Sequence, residues 1–423
     1  MSSRRAAYLV SGVLAVLALV AMQVSSAWAA TVTKATDTTK VVYSFAGEDD
    51  GEYPSTELIL DGAGNLYGTT VQGGDLGTGT VFELTPSGGA WTHTVLYSFT
   101  GGADGGQPYG GVTLDAEGNL YGTTVIGGTG GTCVEEGCGV VYKLTNSGGS
   151  WSESVLYDFT GGNDGYGPGA GLSLDRNGNL YGMTPTGGAD GLGVIYQLRP
   201  GQNGDWRLRV IHTFTGGNDG ATGSAGRLLL DSAGNLYGVA TAGGANAKGT
   251  AFRLTPTPGG NWKFKTLYAF KGQPDAGFPY GALTLDASGD LYGTTYYDGA
   301  NNLGAVYQLA PTQTGAWKER VLYSFKGGTD GSNSISNLVF DATGNLYGTT
   351  SEGGAAGCGC GVIFKMTPGA HATWSESVAY SFTGVPDGAF AYNGMVADGA
   401  GNFFGATVGG GTANDGVVYE FTP

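Results

Sequence analysis

Repeated carboxylates are the side chains of this 423-residue sequence whose spacing could support chemistry. An aspartate follows a recurring Phe by five residues, and in most copies a Gly comes next. These rim aspartates are Asp50, Asp104, Asp164, Asp219, Asp275, Asp330 and Asp387. An Asp-Gly pair is typical of a turn in which the carboxylate accepts backbone N–H bonds. Ca²⁺, which takes about 6–8 oxygen ligands, is the alternative, but the sequence has no EF-hand or nonapeptide Ca²⁺ motif, and we predict no metal site or cofactor.

Six aromatic residues stand near the rim aspartates without recurring in every copy. They are Tyr53, Tyr109, Phe278, Tyr280, Phe390 and Tyr392. Flat side chains beside carboxylates and glycines suit stacking on sugar rings or recognition of a protein. The predicted ligand site combines these aromatics with Asp50, Asp104, Asp275 and Asp387. Packing within the loops is the alternative interpretation.

Nucleophilic and metal chemistry find little support in the sequence. Its three histidines, His93, His212 and His371, occupy unmatched positions, so neither a metal set nor a Ser-His-Asp arrangement can be assembled. We therefore predict no catalytic residue. The alternative is an extracellular polysaccharide hydrolase or lyase that uses rim carboxylates. Hydrolysis would require a carboxyl pair about 5–9.5 Å apart, a separation that spacing in sequence cannot establish.

The four cysteines lie in two corresponding loops. Cys138 and Cys360 are equivalent, because each is followed by Gly-Val, while Cys133 and Cys358 lie five and two residues earlier. An even number of cysteines in an exported chain favours disulfides over a Cys₄ zinc site. We predict Cys133–Cys138 as a clip within its loop. Cys358–Cys360 is a second candidate that would close a very tight ring.

A motif that recurs seven times positions all these residues. Gly-Asn-Leu-Tyr-Gly, or a close variant, recurs at intervals of 54 to 60 residues, at 64–68, 118–122, 178–182, 234–238, 289–293, 344–348 and 401–405. Each copy carries four short β segments bounded by Gly, Asn, Asp or Ser, with no helical periodicity between them. The pattern predicts an all-β fold, a seven-bladed β-propeller of four-stranded antiparallel blades.

The ends of the chain and the strand-one turns add detail to this prediction. The last copy ends after its third strand, so we expect 41–45 to complete the seventh blade and close the ring, which leaves no exposed sheet edge. A second aspartate stands three residues before a Gly in every copy. These turn aspartates, predicted to cap hairpins, are Asp61, Asp115, Asp175, Asp231, Asp286, Asp341 and Asp398. Most of the recurring Tyr, Phe and Trp residues are predicted to pack between blades.

The first 29 residues have the features of a signal peptide. Arg4 and Arg5 precede an apolar stretch over 6–24, and Ala27-Trp28-Ala29 forms a small-x-small cleavage site. We therefore predict a signal peptide over 1–29, an N-terminal linker over 30–40 and the propeller over 41–423. No second apolar segment follows, so we expect no transmembrane segment in the mature chain.

Composition narrows the range of partners. Glycine contributes 83 residues, and 19 basic residues against 35 acidic ones give a net charge of −16. Nucleic-acid binding rests on clustered Lys and Arg, so we predict no nucleic-acid partner. We expect a monomer that is secreted, extracellular or periplasmic.

The recurring Leu-x-x-Asp-x-x-Gly-Asn-Leu-Tyr-Gly-Thr-Thr…Gly-Val-Val-Tyr-x-Leu-Thr pattern resembles the GloVer-type (gloeo/verruco) tandem repeat of exported bacterial proteins. The resemblance covers residues 41–423 and implies a surface or secreted location, often with a C-terminal sorting anchor. This chain shows no such anchor, so we expect release or periplasmic residence rather than attachment. The family supplies no activity and no catalytic residue. We therefore predict a non-catalytic module that binds a glycan or an extracellular protein at the loop-rich face.

Overall fold

A computed structural model describes residues 37–131, 133, 136–224, 226–355 and 357–423. The predicted signal peptide and most of the predicted linker lie outside the described residues. Residues Asp37–Pro423 form one compact unit. Its first strand begins at Thr38, within the predicted linker.

Seven antiparallel sheets follow one another along the chain, which confirms the seven-bladed propeller. Blades 1 and 2 contain β2 (Ile59–Leu60), β3 (Leu66–Thr70), β4 (Thr80–Ser87) and β5 (Ala90–Ser98), then β6 (Val112–Leu114), β7 (Leu120–Thr123), β8 (Val140–Ser147) and β9 (Ser150–Asp158). Blades 3 and 4 contain β10 (Ser173–Leu174), β11 (Leu180–Thr184), β12 (Val194–Pro200) and β13 (Trp206–Thr213), then β14 (Ala221–Gly223), β15 (Leu229–Leu230), β16 (Leu236–Ala242), β17 (Thr250–Pro256) and β18 (Trp262–Ala269). Blades 5 and 6 contain β19 (Ala276–Pro279), β20 (Thr284–Leu285), β21 (Leu291–Asp298), β22 (Ala305–Pro311) and β23 (Trp317–Ser324), then β24 (Val339–Phe340), β25 (Leu346–Thr350), β26 (Val362–Pro368) and β27 (Trp374–Ser381). Blade 7 contains β28 (Val396–Ala397), β29 (Phe403–Thr407), β30 (Val417–Thr422) and the N-terminal β1 (Thr38–Ser44).

The N-terminal strand β1 lies at the outer edge of the seventh sheet. It pairs antiparallel with β30, with Thr38 opposite Thr422 and Ser44 opposite Val417. Four short 3₁₀ helices lie in connections, at Glu48–Asp50, Gln202–Gly204, Gly328–Asp330 and Ala370–Ala372.

The hydrophobic core is divided into seven clusters, and each joins two adjacent blades. Tyr67 and Val81 of blade 1, for example, pack with Val112, Leu120 and Tyr142 of blade 2. The second strand of each blade begins with four or five buried residues because both of its faces meet neighbouring sheets there. The fourth strands β5 and β18 are exposed on alternate residues over their first half, as expected for an outer strand with one solvated face.

The turn aspartates build the hairpin between the first two strands of each blade. The Asp115 carboxylate accepts hydrogen bonds from the Glu117 and Asn119 backbone N–H groups at 3.0 and 2.8 Å. Its other oxygen accepts from Asn119 Nδ2 at 2.7 Å and from Tyr121 Oη at 2.9 Å. Burial alone would raise the pKa of Asp115, but these four bonds lower it below its usual range. The predicted capping role is confirmed.

The connections lie on two faces of the ring. The hairpin face carries the turns between strands one and two and between strands three and four. The loop face carries the blade-to-blade loops and the loops between strands two and three. Loops on this face bond to one another across blades, as where the Gln107 N–H donates to the Thr78 carbonyl at 2.7 Å.

Candidate functional site

The rim aspartates lie on the loop face and are bonded within their own loops. Asp104 accepts hydrogen bonds from Tyr97 Oη at 2.9 Å and from the Thr100 N–H at 2.8 Å. Burial and then this bond raise the pKa of Tyr97. A strand-four ring bonds in the same way to Asp50 (Tyr43), Asp164 (Tyr157), Asp219 (His212), Asp330 (Tyr323) and Asp387 (Tyr380). At most rim positions the carboxylate therefore holds the loop in shape.

Asp275 departs from this pattern. Its strand-four partner Tyr268 donates instead to Glu319 of the next blade at 2.9 Å, and Lys271 Nζ lies 3.7 Å from the Asp275 carboxylate. Among the described residues, no group of three or more His, Cys, Asp or Glu side chains is arranged to hold a metal ion. The assignment of Asp50, Asp104, Asp275 and Asp387 to a ligand site stays a prediction.

The six predicted aromatics separate into two sets of equivalent positions. Tyr53, Phe278 and Phe390 each lie three residues after a rim aspartate and have left-handed backbone conformations, with φ of 57°, 57° and 62°. This conformation costs a non-glycine residue about 1–2 kcal/mol. Each residue also donates its N–H to the preceding blade, to the carbonyls of Asp415, Lys248 and Cys360. The conformation is thus held by a bond between blades.

The other three aromatics share one repeat position at the central channel, where Tyr109, Tyr280 and Asn393, the neighbour of Tyr392, line one small cavity. Tyr109, Tyr280 and Tyr392 each lie six residues before a turn aspartate. Tyr109 is 44% exposed and Tyr280 is 37% exposed, whereas Tyr392 is half-buried. These three tyrosines are called the mouth tyrosines below.

Further aromatics on the loop face were not in the predicted site. Tyr296 lies 6.3 Å from Tyr280 and 4.5 Å from Tyr297, measured between ring centroids, and Tyr297 is 46% exposed. Burial raises the pKa of Tyr296, and Tyr297, Glu352, Tyr392 and Tyr280 raise it further. The adjacent pair Tyr296-Tyr297 occurs in one copy of the repeat only. This departure from the repeat is the sequence feature that could have identified these two residues as part of the site.

A polar cluster crosses the channel below the mouth tyrosines. Four residues before the turn aspartates the seven blades carry Glu57, Gly111, Gly171, Arg227, Ala282, Asn337 and Gly394. Arg227 Nε lies 3.2 Å from Glu57 Oε2, and Asn337 Nδ2 donates to Glu57 Oε1 at 3.3 Å. Arg227 also donates to Thr113 Oγ1 at 2.8 Å and to the Val112 carbonyl at 3.1 Å. We call Glu57, Arg227 and Asn337 the channel bridge, which sequence reasoning did not identify.

The channel bridge separates two cavities. The one on the loop face has a volume of about 40 Å³ and is lined by the bridge, Tyr109 and Tyr280. This is room for one water molecule or one small polar substituent. The cavity on the other side has a volume of about 410 Å³ and a lining that includes six leucines, among them Leu114, Leu174 and Leu230.

Both predicted disulfides are present. Cys133–Cys138 and Cys358–Cys360 have Cα–Cα distances of 5.4 and 5.2 Å. The Cys138 and Cys360 carbonyls accept the N–H groups of Gly167 and Phe390 from the following blade. The disulfides therefore hold loops that contact the next blade.

The histidines have separate environments. His93 is stacked on Tyr43 with ring centroids 4.3 Å apart, and burial lowers the pKa of His93 to about 4. His212 lies 3.1 Å from Asp219, and His371 lies in a 3₁₀ helix on the hairpin face. Each histidine thus has its own set of neighbours.

Replacing Glu153 with Gln is expected to make stability less sensitive to pH. Burial, followed by the Asp104 carboxylate, raises the pKa of Glu153 to about 7, so the folded state favours its protonated form. The stability that this group contributes is complete below its ordinary pKa and is lost as pH rises through 7. Glu153→Gln should therefore stabilise the protein at pH 8 by about 1–2 kcal/mol, after discounting for solvent screening, and be neutral at pH 4.

Thermal unfolding at pH 4 and pH 8 tests this expectation. The control is Glu117→Gln, which removes the same charge from an exposed turn. An equal change for both variants at pH 8 would mean that net charge, and not the buried position of Glu153, sets the effect.

Comparisons with known proteins agree with the propeller. The Gloeobacter/Verrucomicrobia repeat matches three segments of the chain, at residues 28–134, 130–286 and 260–423. No curated protein matches the sequence. Among the residues that the structure describes, no helix is long and apolar enough to cross a membrane.

Two solved structures illustrate the similarity in fold. One is a candidate 6-phosphogluconolactonase from Bacteroides uniformis ATCC 8492, with a TM-score of 0.53, 13% identity, and coverage of 81% of this chain and 88% of the other. The second is the extracellular domain of a candidate hybrid two-component system from B. thetaiotaomicron, with a TM-score of 0.56 and 13% identity. That alignment covers 90% of this chain but only 39% of the longer partner. At these identities the similarity concerns the fold alone.

Proposed function

We propose that this chain, which belongs to the Gloeobacter/Verrucomicrobia repeat family, is an exported, non-catalytic module that binds a carbohydrate at the channel mouth of its loop face. The observation that carries the proposal is the placement of the mouth tyrosines at one repeat position above the channel bridge. Two disulfides are consistent with an oxidising compartment outside the cytoplasm.

The chemistry of the mouth suits a sugar ring. Tyr109 and Tyr280 present exposed aromatic surface, on which the apolar face of a pyranose can stack. The channel bridge below them offers a carboxylate, a guanidinium and an amide. Together these groups can accept hydrogen bonds from sugar hydroxyl groups and donate hydrogen bonds to them. The cavity of about 40 Å³ is too small for a ring, so the ring rests on the tyrosines and one substituent enters the cavity.

The enzymatic alternative has no comparable support. A hydrolase would need two carboxyl groups facing each other across a cleft. Most rim carboxylates are engaged by a strand-four ring within their own loops, and Glu57 is paired with Arg227. We therefore do not advance a hydrolase or lyase.

A glycan array with purified protein tests the binding proposal. The triple variant Tyr109→Ala, Tyr280→Ala, Tyr392→Ala should reduce binding to array ligands at least 10-fold, because a stacked base or ring contributes about 1–3 kcal/mol per aromatic side chain. The matched control is Tyr166→Ala, which removes a tyrosine of the loop face as exposed as Tyr280 (37%) from a different repeat position, two residues after its rim aspartate. Thermal unfolding verifies that each variant is folded.

Two results would overturn the proposal. One is retention of glycan binding by the folded triple variant. The other is the absence of any glycan ligand for the wild type, in which case capture of a protein by the same face becomes the better explanation.

A further inference from the structure

Basic residues are concentrated in one part of this acidic ring. Thirteen of the 19 Lys and Arg residues lie between Arg176 and Lys326, together with 9 acidic residues, so this segment carries a net charge of +4. The rest of the chain carries 6 basic and 26 acidic residues, a net charge of −20. Blades 3, 4 and 5 therefore form a cationic sector.

The outer strands show how the sector departs from the repeat. Two outward positions on the fourth strand carry the pairs Arg207/Arg209, Lys263/Lys265 and Lys318/Arg320 in blades 3, 4 and 5. The same positions carry Thr92/Thr94, Ser152/Ser154 and Ser375/Ser377 in blades 1, 2 and 6. Since Ser and Thr serve the fold in three blades, the basic residues are not required by it.

The cationic sector contains a cleft on the hairpin face. The cleft lies between blades 3 and 4 and has a volume of about 680 Å³, within the range of about 300–1,000 Å³ found for small-molecule sites. Tyr181 and Trp262 form its aromatic wall, with ring centroids 5.6 Å apart and an angle of 75° between the rings. Asn177, Asn179 and Ser232 add amide and hydroxyl groups to its lining.

Two arginines are held in place by neutral groups, Arg199 in the lining of this cleft and Arg209 beside it, against the lining residue Gly260. Arg199 Nε donates to Gln197 Oε1 at 2.7 Å, which leaves both of its terminal nitrogens available. Arg209 donates to the Gly260 carbonyl at 2.6 Å and to Asn261 Oδ1 at 2.7 Å. A Cβ atom placed on Gly260 would lie 3.9 Å from Arg199 Nη2 and 4.0 Å from Arg209 Nη1, so the two guanidinium groups converge on one point.

No carboxylate neutralises this pair. Neither arginine forms an ion pair within the part of the chain that the structure describes. Asp175 and Asp231 also line the cleft, but each carboxylate accepts four hydrogen bonds from its own hairpin. Two convergent guanidinium groups without a counterion form a fork that matches a planar anion.

Equivalent clefts elsewhere in the ring lack this fork. Clefts of about 560 and 400 Å³ lie between blades 2 and 3 and between blades 7 and 1. The residues equivalent to Arg199 are Thr85, Thr145, Thr255, Ala310, Thr367 and Thr422. The scaffold thus repeats the cleft, and one copy has acquired the anion-binding groups.

We propose that the cleft between blades 3 and 4 binds an acidic oligosaccharide. Its carboxylate or sulfate is held by Arg199 and Arg209, and its ring lies against Trp262. A short ligand fits best, because the net charge of −20 on the rest of the chain repels a long polyanion such as a nucleic acid. This site lies on the opposite face from the mouth tyrosines and does not depend on them.

Calorimetric titration of the full chain tests the proposal with a trisaccharide of galacturonic acid, a sulfated galactose trisaccharide, an uncharged galactose trisaccharide and a DNA hexamer. At least one acidic trisaccharide should bind 10-fold or more tightly than the uncharged one, and the preferred acid identifies the anion. Arg199→Gln with Arg209→Gln should weaken that binding at least 10-fold. Arg199→Lys should weaken it less than this double variant does, because it keeps the charge without the planar fork.

A matched control separates the cleft from the surrounding charge. Lys263→Gln with Lys318→Gln removes two charges from the same sector outside the cleft and should reduce affinity less than 3-fold. Equal losses in the two double variants, tighter binding of the DNA hexamer, or no binding of either acidic trisaccharide would each overturn the proposal. The triple variant of the mouth tyrosines should bind the acidic trisaccharide normally, so failure of one site is distinguishable from failure of the other.

Discussion

Replacing Arg227 with Met is expected to lower the free energy of unfolding by about 2–3 kcal/mol. Arg227 is 22% exposed and lies 3.2 Å from the Glu57 carboxylate, which is 28% exposed. Breaking a buried ion pair from one side costs about 3–5 kcal/mol because a charge is left without a partner. The partial exposure of both groups reduces that cost. Met keeps most of the side-chain volume, so the loss reports the polar contacts.

Urea denaturation of four proteins isolates the bridge from general packing. These are the wild type, Arg227→Met, Glu57→Gln and the double variant. The double variant should be more stable than Arg227→Met alone, because it no longer carries an unpaired carboxylate. If the two changes are simply additive, the ion pair does not couple blades 1 and 4 across the channel.

The channel bridge also shows why part of the site escaped sequence reasoning. Glu57, Arg227 and Asn337 share one repeat position, yet Glu57 and Asn337 are separated by 280 residues. Only the circular arrangement of the blades brings them together. Aligning the seven copies reveals three polar residues among small ones, but it does not show which side chains meet.

The aromatic positions illustrate the same limit. The sequence placed Tyr53 and Tyr109 in blade-to-blade loops, where both lie. The sequence could not show that the two tyrosines have different roles, because the left-handed backbone conformation of Tyr53 cannot be predicted from its residue type. A Tyr three residues after a rim aspartate links two blades, and a Tyr five residues after it reaches the channel mouth.

The propeller scaffold could be predicted from the sequence because the interactions that form it are local. Turn aspartates, hairpin glycines and alternating outer strands depend on neighbours within one copy, and seven copies repeat the evidence. The Cys133–Cys138 pairing was accessible for the same reason. The cationic sector, in contrast, was missed because the net charge was considered only for the whole chain. The total of −16 includes a segment with a net charge of +4.

Replacing Gly348 with Ala is expected to destabilise the protein by about 3 kcal/mol, the upper end of the usual cost of overpacking a core. Gly348 is the last glycine of its Gly-Asn-Leu-Tyr-Gly motif and faces the strand-three ring of Phe364. An added Cβ would lie 2.6 Å from Phe364 Cζ and 2.8 Å from Leu338 Cδ2. Both of those side chains are buried at 0% and 2% exposure and have little room to move.

Two further variants decide whether this glycine serves packing. Gly62→Ala has no atom within 4 Å of the new Cβ and should change stability by less than about 1 kcal/mol. Adding Phe364→Leu to Gly348→Ala shortens the opposing side chain and should recover part of the loss in urea denaturation. If Phe364→Leu recovers no stability while Gly348→Ala remains strongly destabilising, the glycine is required for its backbone conformation and not for packing. The rescue would instead explain why the motif ends in glycine in all seven copies, each opposite a buried Phe or Tyr.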